Sequence, residues 1–331
     1  RAFVNVITST EIVKDVGLHS PPVFEMILPM TTSAERMLFI EKSYATVAQA
    51  FKSLKENTND CVNLIPLIEE TSLMQKADSL LSEYVALRKK EFKNAPLPFM
   101  RPFIARSDPA LNSGNLAAVL GAKIGLSKVY SFAERESIPV YPIIGVGALP
   151  FRGGLTPDNV KEFAREYAGV RTVTIQSAFR YDYPHDSVKQ AVHELNSMLA
   201  CTKPVVFSEP TIQELAGIIS VFTKNYQKHI ESLAHLINRV SQFVPPRRER
   251  KLHVGLFGYS RSVKGVALPR AIPFVCALYS LGLPPELIGV GRSMQELNPK
   301  QRALFEETYA GFKRDLLAAC NYLNKENLSA L

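Results

Sequence analysis

The chain of 331 residues is 46% hydrophobic, enough for a large buried core, and 39 Lys and Arg against 31 Asp and Glu give it a net charge of +8. The surplus forms no dense stripe: the longest basic cluster, PPRRERK at 245–251, lies in a proline-marked loop without interleaved aromatics, which argues against a nucleic-acid partner and for an anionic small molecule. No run of eighteen apolar residues is present, so neither a membrane partner nor a signal peptide is expected.

Short apolar runs alternate with long amphipathic ones. AFVNVIT (2–8) and VFEMILPM (23–30) are expected strands, followed by a helix over SAERMLFIEKSYATVAQAFKSLKEN (33–57). VNLIPLIEE (62–70) is the next expected strand, with a helix over LMQKADSLLSEYVALRKKEF (73–92). RPFIARSD (101–108), PIIGVGALPF (142–151), TVTIQSAF (172–179) and KLHVGLFGYS (251–260) complete the strands. From Pro269 onward the pattern is almost entirely helical. Near-continuous apolar strands separated by helices predict a parallel sheet covered by helices. Seven of them in one run fit a closed (β/α)8 TIM-like barrel over residues 1–268, with a helical part over 269–331 packed on it. A doubly wound sheet is the alternative. Cys61, Cys201, Cys276 and Cys320 show no CxxC spacing, and three of them lie beside apolar residues. They read as buried thiols of a reduced, cytoplasmic protein.

Polar residues gather where the strands end. The ends read Met30-Thr31-Thr32, Glu69-Glu70, Arg106-Ser107-Asp108, Arg152-Gly153-Gly154, Gln176-Ser177 and Ser260-Arg261. In a β/α barrel those carboxyl ends carry the chemistry. Asp108, before Pro109, reads either as a ligand for a hard cation or as a helix cap, and Glu69 and Glu70 as ligands or solvated acids. Arg152 offers a planar fork for phosphate or carboxylate, and Gly153 and Gly154 let backbone N–H groups approach an anion; a plain Gly-Gly turn is the other reading. Arg261, Lys264 and Arg270 fall within ten residues, and Arg270 stands among apolar residues, where an unpaired cation would be costly. Gln176 and Arg180 follow the fifth strand end, Arg180 with Asp182 as an obvious partner. The six histidines, at 19, 185, 193, 229, 235 and 253, show no metal spacing. Neither GxxxxGK[ST] nor GxGxxG is present, which counts against nucleoside triphosphates and dinucleotides.

Taken in order, these segments resemble phosphoenolpyruvate carboxylase, and in particular its shorter archaeal-type branch, which also occurs in some bacteria. The resemblance runs from about Val23 to Ile288. The larger enzymes carry PLFE, GYSDS, FHGRGG, TEQGEMIRFKY, SRPAK and LRAIPW; here the corresponding stretches are PLIE (66–69), ARSDP (105–109), LPFRGG (149–154), TIQSAFRYDY (174–183), SRSVK (260–264) and PRAIPF (269–274). The resemblance implies conversion of phosphoenolpyruvate and bicarbonate to oxaloacetate and phosphate, with Mg²⁺ or Mn²⁺, in a homotetramer. It implies that Glu69 (or its neighbour Glu70) and Asp108 hold the metal. Arg261 and Arg270 would bind the substrate phosphate. Arg152 would close over the transferred phosphoryl group on its Gly153-Gly154 loop, with Gln176, Arg180 and Lys264 lining the pocket. Pro150 replaces the loop histidine of the larger enzymes, and Asp158 falls near a further arginine of theirs. The early TAHPT or TQHPDN motif with the family's catalytic histidine has no counterpart. The expectation is therefore a barrel lacking its first strand or strands. Another magnesium-dependent barrel enzyme acting on a pyruvate enolate, or an inactive barrel with a binding or assembly role, are the alternatives.

Overall fold

A computed structural model describes residues 2–18, 23–52, 62–93, 95–245, 262–263 and 266–330. The chain opens with α1 (Ala2–Ile7) and α2 (Ser9–Asp15), then β1 (Glu25–Leu28), α3 (Ala34–Lys52), β2 (Asn63–Ile68), α4 (Thr71–Met74) and α5 (Ala77–Glu91). Next come β3 (Phe103–Ala105), α6 (Ser107–Ser113), α7 (Asn115–Glu136), β4 (Ile143–Gly145), α8 (Val160–Glu166) and β5 (Thr172–Val173). The long helices α9 (His185–Cys201) and α10 (Glu209–Ser241) lead to a two-stranded antiparallel pair, β6 (Ser262–Val263) with β7 (Val266–Ala267). The remainder is helical: α11 (Ala271–Ser280), α12 (Val290–Glu296), α13 (Pro299–Thr308), α14 (Phe312–Cys320) and α15 (Lys325–Ala330).

β1 to β5 form one parallel sheet in sequential order. Right-handed crossovers that always step the same way leave their helices on one face of the sheet, whereas a doubly wound sheet needs a reversal of strand order. Leu28, Leu64, Ile68, Ile104 and Ile144 accordingly face the helical side, in one cluster with Met37, Tyr44, Leu81, Val85 and Val129. The opposite phase presents Glu25, Asn63, Leu67, Phe103 and Thr172, paired in register across the sheet.

That second face is concave. Arg101, two residues before β3, donates from Nη1 to Glu25 Oε2 at 2.5 Å and from Nη2 to Thr172 Oγ1 at 2.9 Å. Glu25 begins β1 and Thr172 begins β5. On a flat sheet, four spacings of about 4.8 Å would hold these strands roughly 19 Å apart, with side chains standing perpendicular to the sheet. One guanidinium reaches both only because the sheet curls around it.

Three expectations are corrected. AFVNVIT is helical in α1, where Val6 and Ile7 are buried and Phe3 meets Tyr44 edge-on at 5.7 Å. A short apolar run carries too little period to separate strand from buried helix. Cys201 and Cys320 are exposed and Cys276 is half-buried, so these thiols are not core groups. Arg270 is also exposed, at the N-cap of α11, so no desolvation cost arises there. Cys61 and the expected strand 251–260 lie outside the described residues. The helix α7 is long and apolar enough to cross a membrane by composition, yet 78% of that stretch is buried inside the molecule, as befits a central core helix.

Candidate active site

At the carboxyl end of β1 the chain turns through Met30, whose φ of 51° is left-handed. Its N–H donates to Glu69 Oε2 at 2.8 Å, and the buried Thr31 donates from its N–H to Leu67 O at 3.1 Å. Glu69, half-buried at the end of β2, thus secures the neighbouring strand end. Glu70 is exposed at the N-cap of α4. Asp108 is half-buried in the first turn of α6, where a negative charge suits the helix dipole; α6 begins at Ser107, so Asp108 is not the cap. Glu69 and Asp108 therefore follow adjacent strands of the sheet. Among the described residues no three His, Cys, Asp or Glu side chains form a metal-binding group. A hard cation needs only one or two protein carboxylates, and the donor chemistry of Glu69 and Asp108 fits one.

The stretch from Val146 to Leu155 is a closed loop. Val146 N–H donates to Thr174 Oγ1, whose hydroxyl is also 3.1 Å from Val146 O, and this joins the β4 and β5 ends. Gly147 N–H reaches Arg152 O at 2.7 Å, and Leu155 N–H reaches Gly147 O at 3.0 Å. Gly153 has φ 114°, and a Cβ there would fall 2.4 Å from Val146 Cγ1, so only glycine fits. The N–H groups of Gly153 and Gly154 donate to Pro150 O and Leu149 O. In this conformation they close the loop itself, as the plain-turn reading has it.

What the loop presents is Arg152. Its Nε donates to Ser107 Oγ at 3.3 Å and its Nη2 to Gln176 Oε1 at 2.7 Å. The guanidinium of the β4 loop thereby links the ends of β3 and β5. Arg180 lies further out, exposed in a turn over 178–182, with its guanidinium 5.1 Å from the Tyr181 ring centre. Arg270 opens α11, whose Phe274 stacks on Phe151 of the loop at 5.7 Å. Arg261 and Lys264 lie outside the described residues.

Sequence reasoning passed over two groups behind the loop. Arg106 is 1% exposed; its Nε donates to the Tyr167 hydroxyl at 2.9 Å and its Nη2 to Asn115 Oδ1 at 3.1 Å. Burial raises the Tyr167 pKa, and the Arg106 charge opposes that rise. Glu286 is 0% exposed, and its Oε1 accepts from Phe151 N–H and the Tyr279 hydroxyl, each at 3.0 Å. Burial is the chief cause that holds the Glu286 carboxyl above the usual carboxylate range. The arginine immediately before Ser107-Asp108 was the available signal for the first; for the second no motif exists.

Parallel strands whose acids, hydroxyls and arginines collect at their carboxyl ends define an α/β protein of the kind that places an active site there. The family can be stated more closely. A family model described as phosphoenolpyruvate carboxylase matches residues 2–330, and the chain belongs to that family. It is 40% identical over 321 residues to a phosphoenolpyruvate carboxylase of Caldivirga maquilingensis, covering 93% of this chain and 61% of the relative. It is 41% identical over 348 residues to one of Metallosphaera sedula, covering 100% and 67%. It is 35% identical over 338 residues to one of Oenococcus oeni, covering 100% and 66%. The chain thus spans about two thirds of the length of these relatives, or somewhat less.

Proposed function

We propose that the protein carboxylates phosphoenolpyruvate with bicarbonate to give oxaloacetate and phosphate. The observation that carries this reading is Arg152, held on a glycine loop between the ends of β3 and β5 in a chain matched by the family over residues 2–330. A bicarbonate oxygen attacks phosphorus and the bond from phosphorus to the enol oxygen breaks, which leaves carboxyphosphate and the enolate of pyruvate. Carboxyphosphate separates into phosphate and CO₂, and the enolate carbon attacks the CO₂. Transferring a phosphoryl group spreads negative charge over its oxygens, so fixed cations supply much of the catalysis. Arg152 has that role, with Gln176 fixing its plane. Arg261 and Arg270 bind the phosphate, with Lys264 and Arg180 toward the rim. Glu69 and Asp108 would hold a divalent cation, Mg²⁺ or Mn²⁺, whose charge would stabilise enolate oxygen when bound.

The same proposal takes the curled sheet as an arc of a closed β/α barrel with the helices after residue 268 packed on it, assembled as a homotetramer. Sequential strand order and the Arg101 bridge between β1 and β5 support the barrel.

The test is carbon-labelled bicarbonate with phosphoenolpyruvate and Mg²⁺ on the full-length protein. Label appearing in oxaloacetate is the expected result. Consumption of phosphoenolpyruvate without label in the product would assign the site to another enolate chemistry.

A further inference from the structure

The loop that carries Arg152 is gripped one peptide unit earlier, from two sides. Arg106 Nη2 donates to the carbonyl oxygen of Pro150 at 3.4 Å, and Glu286 Oε1 accepts from the N–H of Phe151 at 3.0 Å. That carbonyl and that N–H belong to one trans peptide, so they point in opposite directions. A buried guanidinium and a buried carboxyl group therefore hold the two ends of the same peptide dipole, the donor at its oxygen and the acceptor at its N–H.

The arrangement is costly. A buried polar group needs all its hydrogen bonds to offset desolvation. Arg106 Nη1 and Glu286 Oε2 are both buried without a hydrogen-bond partner among the described residues. The Phe151 ring is already anchored, fully buried and stacked on Phe274. Within the loop the Pro150 carbonyl also accepts from Gly153 N–H at 2.9 Å; what the two polar groups add from outside it is a second hold on the peptide plane, and hence on the direction in which the next residue, Arg152, leaves the backbone. They also come from distant parts of the chain. Arg106 follows β3, whereas Glu286 lies between α11 and α12, on the segment that begins with Arg270.

We propose that Arg106 and Glu286 are positioning residues that fix the Pro150–Phe151 peptide and thereby hold Arg152 in register with Arg270. The proposal rests on the reading of Arg152 as a phosphoryl-binding residue. Both groups are buried, and each acts through the loop.

The test uses the full-length protein with Glu286→Met, which removes the acceptor at similar volume, and Glu286→Gln, which keeps an amide oxygen. Glu286→Met is expected to lower kcat about tenfold or more while KM for phosphoenolpyruvate stays within about twofold, because misplacing a catalytic group acts on the transition state. Glu286→Gln is expected to lose less. In an Arg152→Ala background, Glu286→Met is expected to lower kcat no further, since its effect passes through Arg152. Losses that add in full would overturn the proposal, as would a change confined to KM. Wild-type kcat in Arg152→Ala alone would instead remove the reading of the site. The clamp is then judged separately by hydrogen exchange at the Phe151 amide. In the unsubstituted protein that amide is expected to exchange with the slowest core amides, and about tenfold or more faster in Glu286→Met. Rapid exchange in the unsubstituted protein overturns the clamp whether or not any variant folds.

Discussion

Two arginines bridge the same sheet at opposite ends. Arg101 joins the starts of β1 and β5 through Glu25 and Thr172, and Arg152 joins the finishes of β3 and β5 through Ser107 and Gln176. Arg101 has a carboxylate facing it, so its charge is matched inside the fold and its work is to bend the sheet. Arg152 is held by a hydroxyl and an amide, which fix the plane of its guanidinium, and it leaves the last position of a short turn, Pro150–Arg152, that Gly153 follows. One residue type therefore braces the strands at their starts and, in the proposed function, acts on substrate at their finishes.

The comparison can be broken most sharply at the rim. Asp108→Asn is expected to lower activity by about a thousandfold or more with an unchanged melting temperature, as the proposed ligand role requires. Full activity with unchanged metal affinity in that variant would remove the role. Arg152→Ala is expected to reduce kcat by about a hundredfold with phosphoenolpyruvate binding still measurable, the scale of losing one preorganised donor to a transition state. Steady-state kinetics in which only KM moves would make Arg152 a ground-state binder.

At the other end the expected signature is the reverse. Arg101→Ala should cost about 2 kcal/mol of stability, in the range for charge-assisted hydrogen bonds of a partly buried pair, while kcat per folded molecule is retained. Denaturant titration beside an activity assay checks this, and a loss of kcat with stability intact would abolish the contrast between the two ends.

The smallest effect concerns Glu286. Burial raises its pKa in the folded state above the ordinary value of 4.5, with Phe151 N–H and the Tyr279 hydroxyl opposing the rise and Asp315 adding to it. Tyr226, itself raised chiefly by burial, also faces it. The folded protein therefore keeps this proton at pH values where the unfolded chain has released it. The associated stability is complete below about pH 4.5 and is lost as pH rises through the folded value. Glu286→Gln, which stays neutral, should narrow the fall in Tm between pH 5 and pH 8 by roughly 2 °C. An equal fall in both proteins would show that this carboxyl does not titrate within that window.

The five strands of the sheet were legible because each is a short, nearly unbroken apolar run that stops at a polar residue. The rim was legible in part for the same reason: Glu69, Asp108 and Gln176 follow β2, β3 and β5 within three residues, whereas Arg152 stands seven residues past β4, because PIIGVGALPF (142–151) leaves the sheet after Gly145 and turns into the loop. AFVNVIT was misread because β-branched residues dominate it, while tertiary packing of Val6, Ile7 and Phe3 decides for a helix. The use of Gly153 as a close-packing glycine depends on Val146, seven residues earlier, and no local pattern announces it. Glu286 is less legible still. It stands in PPELIG as an ordinary loop acid, and its burial appears only when Phe151, 135 residues away in the chain, is brought against it.

The Arg101 bridge has a consequence for biosynthesis. Its two partners, Glu25 and Thr172, are separated by 147 positions, so the brace cannot form until β5 has emerged from the ribosome. Glu25 can meet Arg101 after 76 positions, and at roughly 5–20 residues per second that pair then waits on the order of ten seconds for Thr172 to complete the brace. Closing so long a loop carries a large entropic cost before any bond repays it. The curl of the sheet is accordingly a late event in the life of the nascent chain, and the interval before it is when β1 is most open to capture by a chaperone or by another copy of itself.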